Sequence, residues 1–183
     1  MLSESEILAF VESNLSTKRY AHTLRVLETA MRLASNLDVD LPALRIACIS
    51  HDMTKEDSSW TKDKMYDLKI DDEQIINHPH VWHGFTAAYT LKNKFKIEDE
   101  RILNAVRYHT ISDPYFDLIG KILYIADYIE PFRKQTREFK ISNMNDIDIL
   151  LKNIVNEKIE YFEKKKFPYH KNILLLADAL ENT

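Results

Sequence analysis

The sequence predicts an all-α chain, and three observations carry that expectation. Only two glycines occur in 183 residues, whereas hairpins and dinucleotide-binding loops lean on glycine for unusual backbone angles and close approach. Apolar residues recur at three- and four-residue spacing through most of the chain, the period of a helix with one buried face. Ser, Asp and Pro stand where these periodic segments begin or end, as helix caps and breakers do.

Taken in order, Ser3 and Glu6 have capping-box spacing and open a short helix to about Val11. A long helix follows over about 17–36, with Tyr20, Leu24, Leu27, Ala30, Met31 and Ala34 as its apolar stripe. Asp40 caps a third helix, with Pro42 in its first turn, that runs to about Asp52. The stretch 53–72 is polar, with a short helix at 61–68 and a turn marked by Asp71 and Gln74. Pro79 opens a helix to about Lys94, and another covers 98–109 before Pro114. The helix 117–130 stops at Pro131, because a proline disfavours helix at the residue before it. A charged helix over 145–166 keeps a stripe of Ile147, Leu150, Leu151, Ile154, Ile159 and Phe162, and a last helix covers 171–181. No repeat or linker divides the chain, so one domain is expected, with its core over about 18–133 and a helical tail over 145–181.

Composition narrows the function classes. Hydrophobic residues make up 45% and charged residues 30%, which excludes a disordered or membrane-embedded chain. The start Met1-Leu-Ser-Glu-Ser-Glu6 lacks the basic residues of a signal peptide. The lone Cys48 sits in an apolar run and reads as a small core residue. A cytoplasmic protein is the expectation, with no membrane partner. A net charge of −4 argues against nucleic-acid binding while leaving room for a local basic pocket.

The chemistry concentrates in an ordered set, His22, His51-Asp52 and Asp127, with His83 and His109 lying between the pair and the last Asp. An adjacent His and Asp offer a neutral nitrogen and an anionic oxygen, a donor pair suited to iron, manganese or zinc. Asp at a helix C-terminus opposes the helix dipole and calls for a cation. Asp127 stands between Ile125-Ala126 and Tyr128-Ile129, and a buried carboxylate needs a cation or strong donors. Bland readings stand beside these. His22 could be a packed boundary residue, and His83 and His109 could be surface histidines. Lys18, Arg19 and Arg25 could be solvated charges, Lys55 could favour a helix C-terminus, and Arg133 could pair with Glu130. The aromatics Tyr108, Tyr124 and Tyr128 read as core, whereas Phe132 is a candidate for base stacking. Gly84 allows either close approach to a ligand or tight helix packing.

The ordered set on an all-α chain resembles the HD-domain metal-dependent phosphohydrolases. More narrowly it resembles the bacterial YqeK-type symmetrical diadenosine tetraphosphate hydrolases, that is, symmetrical bis(5'-nucleosyl)-tetraphosphatases. The stretches that carry the likeness are Arg19-Tyr-Ala-His-Thr-Leu-Arg-Val26, His51-Asp-Met-Thr-Lys55, His83-Gly84, Ile102 to Thr110, and Lys121 to Pro131 with Arg133. The likeness implies a helical bundle with a metal site between central helices. His22, His51, Asp52 and Asp127 would hold a transition metal, with iron expected and manganese, cobalt or zinc as alternatives. His83 and His109 would complete a second metal position or contact phosphates, and with Asp52 they form the catalytic set. Arg19, Lys55 and Arg133 match phosphate or nucleotide contacts. His170 matches a nucleotide-contacting position near the C-terminus, although Lys171-Asn172-Ile173 depart from the usual pattern.

The implied activity is metal-assisted cleavage of a dinucleoside tetraphosphate such as Ap4A into two ADP, and a homodimer is allowed. Bound metal brings the pKa of water toward about 7 and polarises a phosphoryl oxygen. The competing readings are an HD phosphohydrolase of other specificity, acting on nucleoside monophosphates, dNTPs or cyclic nucleotides, a non-catalytic nucleotide sensor, and a two-iron oxygenase.

Overall fold

The computed structural model describes residues 4–132 and 146–181. Among them lie ten α-helices: α1 Glu4–Asn14, α2 Thr17–Leu33, α3 Leu41–Ser50, α4 Ser58–Asp67, α5 Glu73–Ile76, α6 Trp82–Asn93, α7 Glu100–Tyr108, α8 Leu118–Ile129, α9 Ile147–Lys165 and α10 Asn172–Glu181. No strand occurs among the described residues, and no helix there is long and apolar enough to cross a membrane. The all-α expectation therefore holds.

Side-chain caps explain most helix starts. Ser16 accepts from the Arg19 amide at α2, Asp40 from Ala43 at α3, Asp57 from Trp60 at α4, Asp99 from Arg101 at α7, Asp117 from Gly120 at α8 and Asp146 from Asp148 and Ile149 at α9. Each satisfies an otherwise orphaned N–H and contributes about 1 kcal/mol. The expected Ser3 cap lies outside the described residues, and α1 continues past Val11 to Asn14. The Asp57 cap starts α4 three residues earlier than the apolar pattern indicates. Pro79 opens a 3-10 turn, Pro79–Val81, that leads into α6.

Helix α8 is the central element. Ile119, Ile122, Leu123, Tyr124, Ile125, Ala126 and Ile129 are all buried, because α2, α3, α7 and α9 pack around it. Helix α1 covers α3, α6 covers α7, and α10 packs on α9. The core runs from Ile7 on α1 to Leu180 on α10 without a break. The expected stripe of α9 is buried at Ile147, Leu150, Leu151 and Ile154, whereas Ile159 and Phe162 are only partly covered.

Helix α2 departs from its expected stripe. Its buried residues are His22, Thr23, Val26, Thr29, Ala30 and Leu33, while Leu24 is exposed. On this face His22 meets Asp127 of α8 at 3.1 Å, and His22 and Arg25 meet Glu130 just past its end, while Tyr20, Leu27 and Met31 still pack at the margin of the core.

Candidate metal centre and its flanking clefts

Helix α3 ends at Ser50, two residues short of the expected Asp52. His51 is its C-cap, and residues 51–56 continue as tight turns closed by bonds from the Met53 amide to Ser50 and the Lys55 amide to Asp52. This turn swings Asp52 off the helix axis into the interior. Both His51 and Asp52 have no exposed surface. Glu56 anchors the turn on the start of α2 through Ser16, accepting from its hydroxyl at 2.9 Å. Thr54 anchors it on α6, donating to the His83 carbonyl at 3.1 Å.

Asp52 is the hub of the site. Its Oδ2 lies 3.7 Å from both His22 Nε2 and His51 Nε2, and its Oδ1 lies 3.1 Å from His83 Nε2 and 3.5 Å from His109 Nε2. Asp127 Oδ1 adds a second carboxylate, 3.1 Å from His22 Nε2 and 3.9 Å from His51 Nε2. The structure thus brings together His22, His51, Asp52, Asp127, His83 and His109. Two ligand-sized groups result, His22–His51–Asp52 and Asp52–His83–His109, sharing Asp52.

The tautomers follow from the partners. His51 Nδ1 lies 2.8 Å from the Cys48 carbonyl and His109 Nδ1 lies 2.7 Å from the Val106 carbonyl. His22 Nδ1 lies 3.2 Å from Glu130 Oε1. Carbonyls and ionised carboxylates only accept, so each Nδ1 carries the proton and each Nε2 presents a lone pair. Those lone pairs face carboxylate oxygens. Among the described residues, the buried Nε2 atoms of His22 and His51 have no hydrogen-bond partner. Lone pairs aimed at anions without an intervening proton are unfavourable unless a cation sits between them. The donor set, imidazole nitrogen with carboxylate oxygen, suits a divalent transition metal.

Protonation states agree. Burial pushes His51 down to about 3 and His83 down to about 4, so both imidazoles are neutral ligands at neutral pH. Burial alone would raise Asp52, but the groups packed around it, the Lys55 ammonium among them, hold it well below the usual carboxylate range. The unfolded chain takes up protons near pH 6.5 that folded His51 and His83 refuse. Stability from these two groups is therefore complete above pH 6.5 and lost as pH falls toward 4 for His83 and toward 3 for His51, by about 1 kcal/mol per pH unit for each. In chelator-treated protein, thermal melts should show a flat Tm from pH 8 to 7 and a falling one below 6.5. A Tm that stays level down to pH 5 would contradict the neutral assignment.

Asp127 is a correction of degree. Its side chain is 21% exposed, so it is not the buried carboxylate that its apolar neighbours indicate. That description fits Glu130, which is 2% exposed. Pro131 forces Glu130 out of the helical region, to φ −56° and ψ 146°, and the carboxylate then turns back onto α2. Arg25 Nε donates to it at 2.6 Å and the Phe132 amide at 3.1 Å. Burial works against the charge, but the Arg25 bond, the Phe132 amide and His22 lower its pKa on balance. Arg25–Glu130–His22 is the carboxylate–histidine arrangement that orients metal ligands. Glu130 was legible only as a partner for Arg133, and Arg133 lies outside the described residues.

Gly84 resolves toward helix packing. A Cβ there would meet the Arg107 carbonyl oxygen at 2.6 Å and the Val106 carbonyl oxygen at 3.0 Å. Helices α6 and α7 touch backbone to backbone at this point, and this sets His83 and His109 side by side, Nε2 to Nε2 at 3.1 Å. Gly84→Ala must push the helices apart. It should cost about 1–3 kcal/mol and lower activity by at least tenfold, measured by denaturant melts and steady-state rates. Unchanged stability would show that α7 yields freely.

Two clefts flank the hub. On one side Lys18, Arg19, Arg25, His22, Glu130 and Phe132 enclose about 580 Å³. Phe132 is exposed, with the Arg25 guanidinium 4.7 Å above its ring. On the other side Lys55, Lys62, His80, Trp82 and His83 line about 780 Å³. Arg19 Nη1 and Lys55 Nζ each reach Asp52 at 3.0 Å, one from each side. His170 is not brought to this cluster. Its Nε2 lies 3.1 Å from Asp72 Oδ2 and ties the C-terminal segment to the loop before α5, while its Nδ1 accepts from the Asn172 amide within that segment.

The profile of the HD domain matches residues 19–132, the span that holds every residue of this cluster. The chain belongs to the HD domain family. It is 32% identical to the symmetrical bis(5'-nucleosyl)-tetraphosphatase of Bacillus subtilis (strain 168), over 98% of each chain. It is 30% identical to the enzyme of the same name from Halalkalibacterium halodurans, over 98% of this chain and 97% of the relative. A crystal structure from Clostridium acetobutylicum, described as a predicted HD superfamily hydrolase involved in NAD metabolism, superposes with a TM-score of 0.89. It shares 31% identity over 100% of this chain and 98% of that one.

Proposed function

We propose that this HD-domain chain hydrolyses dinucleoside tetraphosphates such as Ap4A at their centre, releasing two nucleoside diphosphates. The observation that carries this reading is the shared carboxylate of Asp52, with imidazole lone pairs around both of its oxygens and a cation-lined cleft on each side. The relatives' names point the same way. In this reading His22, His51, Asp52 and Asp127 hold one iron-type metal, and Asp52, His83 and His109 hold a second. Bound metal supplies a Lewis acid that acidifies water and polarises a phosphoryl oxygen.

The chain's own residues do the rest. Arg19 and Lys55 are each about 29% exposed at the side chain and neutralise Asp52 in this structure. Their cations can turn to a polyphosphate and spread its developing charge. Glu130 and Arg25 keep His22 in the tautomer that presents Nε2. The water oxygen bonds to an inner phosphorus, and the bond from that phosphorus to the central bridging oxygen breaks. The leaving oxygen takes a proton from solvent or a neighbouring acid, so Ap4A and water give two ADP.

Product analysis of the metal-loaded protein tests this reading. ADP as the sole nucleotide product supports it, and equal amounts of ATP and AMP would overturn it. His83→Ala should lower metal content from two ions per chain toward one. Full retention of metal with a reduced kcat/KM would instead assign His83 to phosphate contact.

A further inference from the structure

The cleft on the Lys55 side changes character along its length. Near Asp52 it presents Lys55 and His83, and farther out Lys62, His80 and Trp82. Lys62 and Trp82 also border an apolar hollow of about 370 Å³ beside Met65, Tyr66 and Ile76. Cationic and polar groups come first, apolar ones after. A nucleoside diphosphate has the same order, with charged phosphates at one end and a flat base at the other. Trp82 is held in place, because its indole N–H donates to the Ile75 carbonyl at 2.7 Å. Tyr66 is 89% exposed and lines the same hollow as Trp82, and an exposed aromatic face offers a stacking surface for a base.

We propose that this cleft takes the second nucleoside diphosphate half of the substrate, its phosphates passing Lys55, His80 and Lys62 and its base resting against Trp82 and Tyr66. The inference rests on the proposed function. Cleavage at the middle of a symmetric substrate requires a half on each side of the metal positions. His22 and Arg19 border the 580 Å³ cleft and His83 and Lys55 border this one, with Asp52 touching all four.

Lys62→Glu and Trp82→Leu test it. Lys62 is exposed, and leucine keeps an apolar side chain beside the small cluster of Met65, Phe85 and Ile111. Circular dichroism checks the fold, and Lys62→Glu decides alone if Trp82→Leu misfolds. Calorimetric titration should find two ADP per wild-type chain and one in each variant. The KM for Ap4A should rise at least fivefold with kcat within threefold. A smaller rise in KM, or one ADP per wild-type chain, overturns the proposal. Absence of ADP formation by the wild type would defeat the functional reading instead, and the ADP stoichiometry would then decide the cleft by itself.

Discussion

Replacing Asp52 with Asn should lower Ap4A hydrolysis by about 10³-fold or more and strip most of the bound metal, while leaving the helical circular dichroism nearly unchanged. Asn keeps the volume and one oxygen but loses the charge on which the whole cluster is arranged. Four Nε2 atoms lie within 3.1–3.7 Å of this carboxylate, and both candidate metal positions share it. One substitution thus removes an anionic ligand from each. The fold should survive because α2, α3 and α8 also pack through Val26, Ala30, Leu33, Leu44, Ala47, Ile122 and Ile125, which the substitution leaves in place. Arg19 and Lys55 keep enough exposure to turn into solvent when their anion is gone. Metal analysis, steady-state rates and circular dichroism together read the result. Loss of helix with loss of activity would make Asp52 a structural residue, and retained metal would remove it from the ligand set.

Glu130→Ala should have the second largest effect, weakening metal binding by about 10–100-fold although Glu130 is placed at no metal position. Its carboxylate holds the Nδ1 proton of His22 and so decides which ring nitrogen is bare. Without it, His22 is free to flip tautomer or rotate, and Arg25 loses the acceptor at 2.6 Å that keeps it at the rim of the cleft. Glu130→Gln should recover part of the affinity, since an amide oxygen still accepts one hydrogen bond but brings no charge. Arg25→Ala should act in the same direction more weakly. The informative readout is the metal Kd beside the Tm of metal-free protein. A fall in Tm with an unaltered Kd would mean that Glu130 only supports the α2–α8 contact.

Local sequence carries much of this protein's design. Helix starts were readable because capping is local: Asp40 and Asp117 bond to amides three residues on, and Pro131 acts on its immediate neighbour. The members of the candidate cluster were readable because their residue types are out of place in apolar helices, and an adjacent His and Asp at a helix end is a donor pair wherever the chain carries it. Tertiary structure alone decided how these parts face one another. Glu130 reaches Arg25 and His22 across 105 and 108 residues, so no local pattern could separate it from Asp127 as the buried carboxylate. The exposure of Leu24 and the burial of His22 on α2 were set by what packs against that helix. The meaning of Gly84 depended on the Arg107 carbonyl, and that of His170 on Asp72, which lies 98 residues away. Local sequence sets where backbone hydrogen bonds begin and end. Which side chains share a desolvated site is set by long-range packing, where opposing charges and lone pairs can be satisfied only once the helices have met.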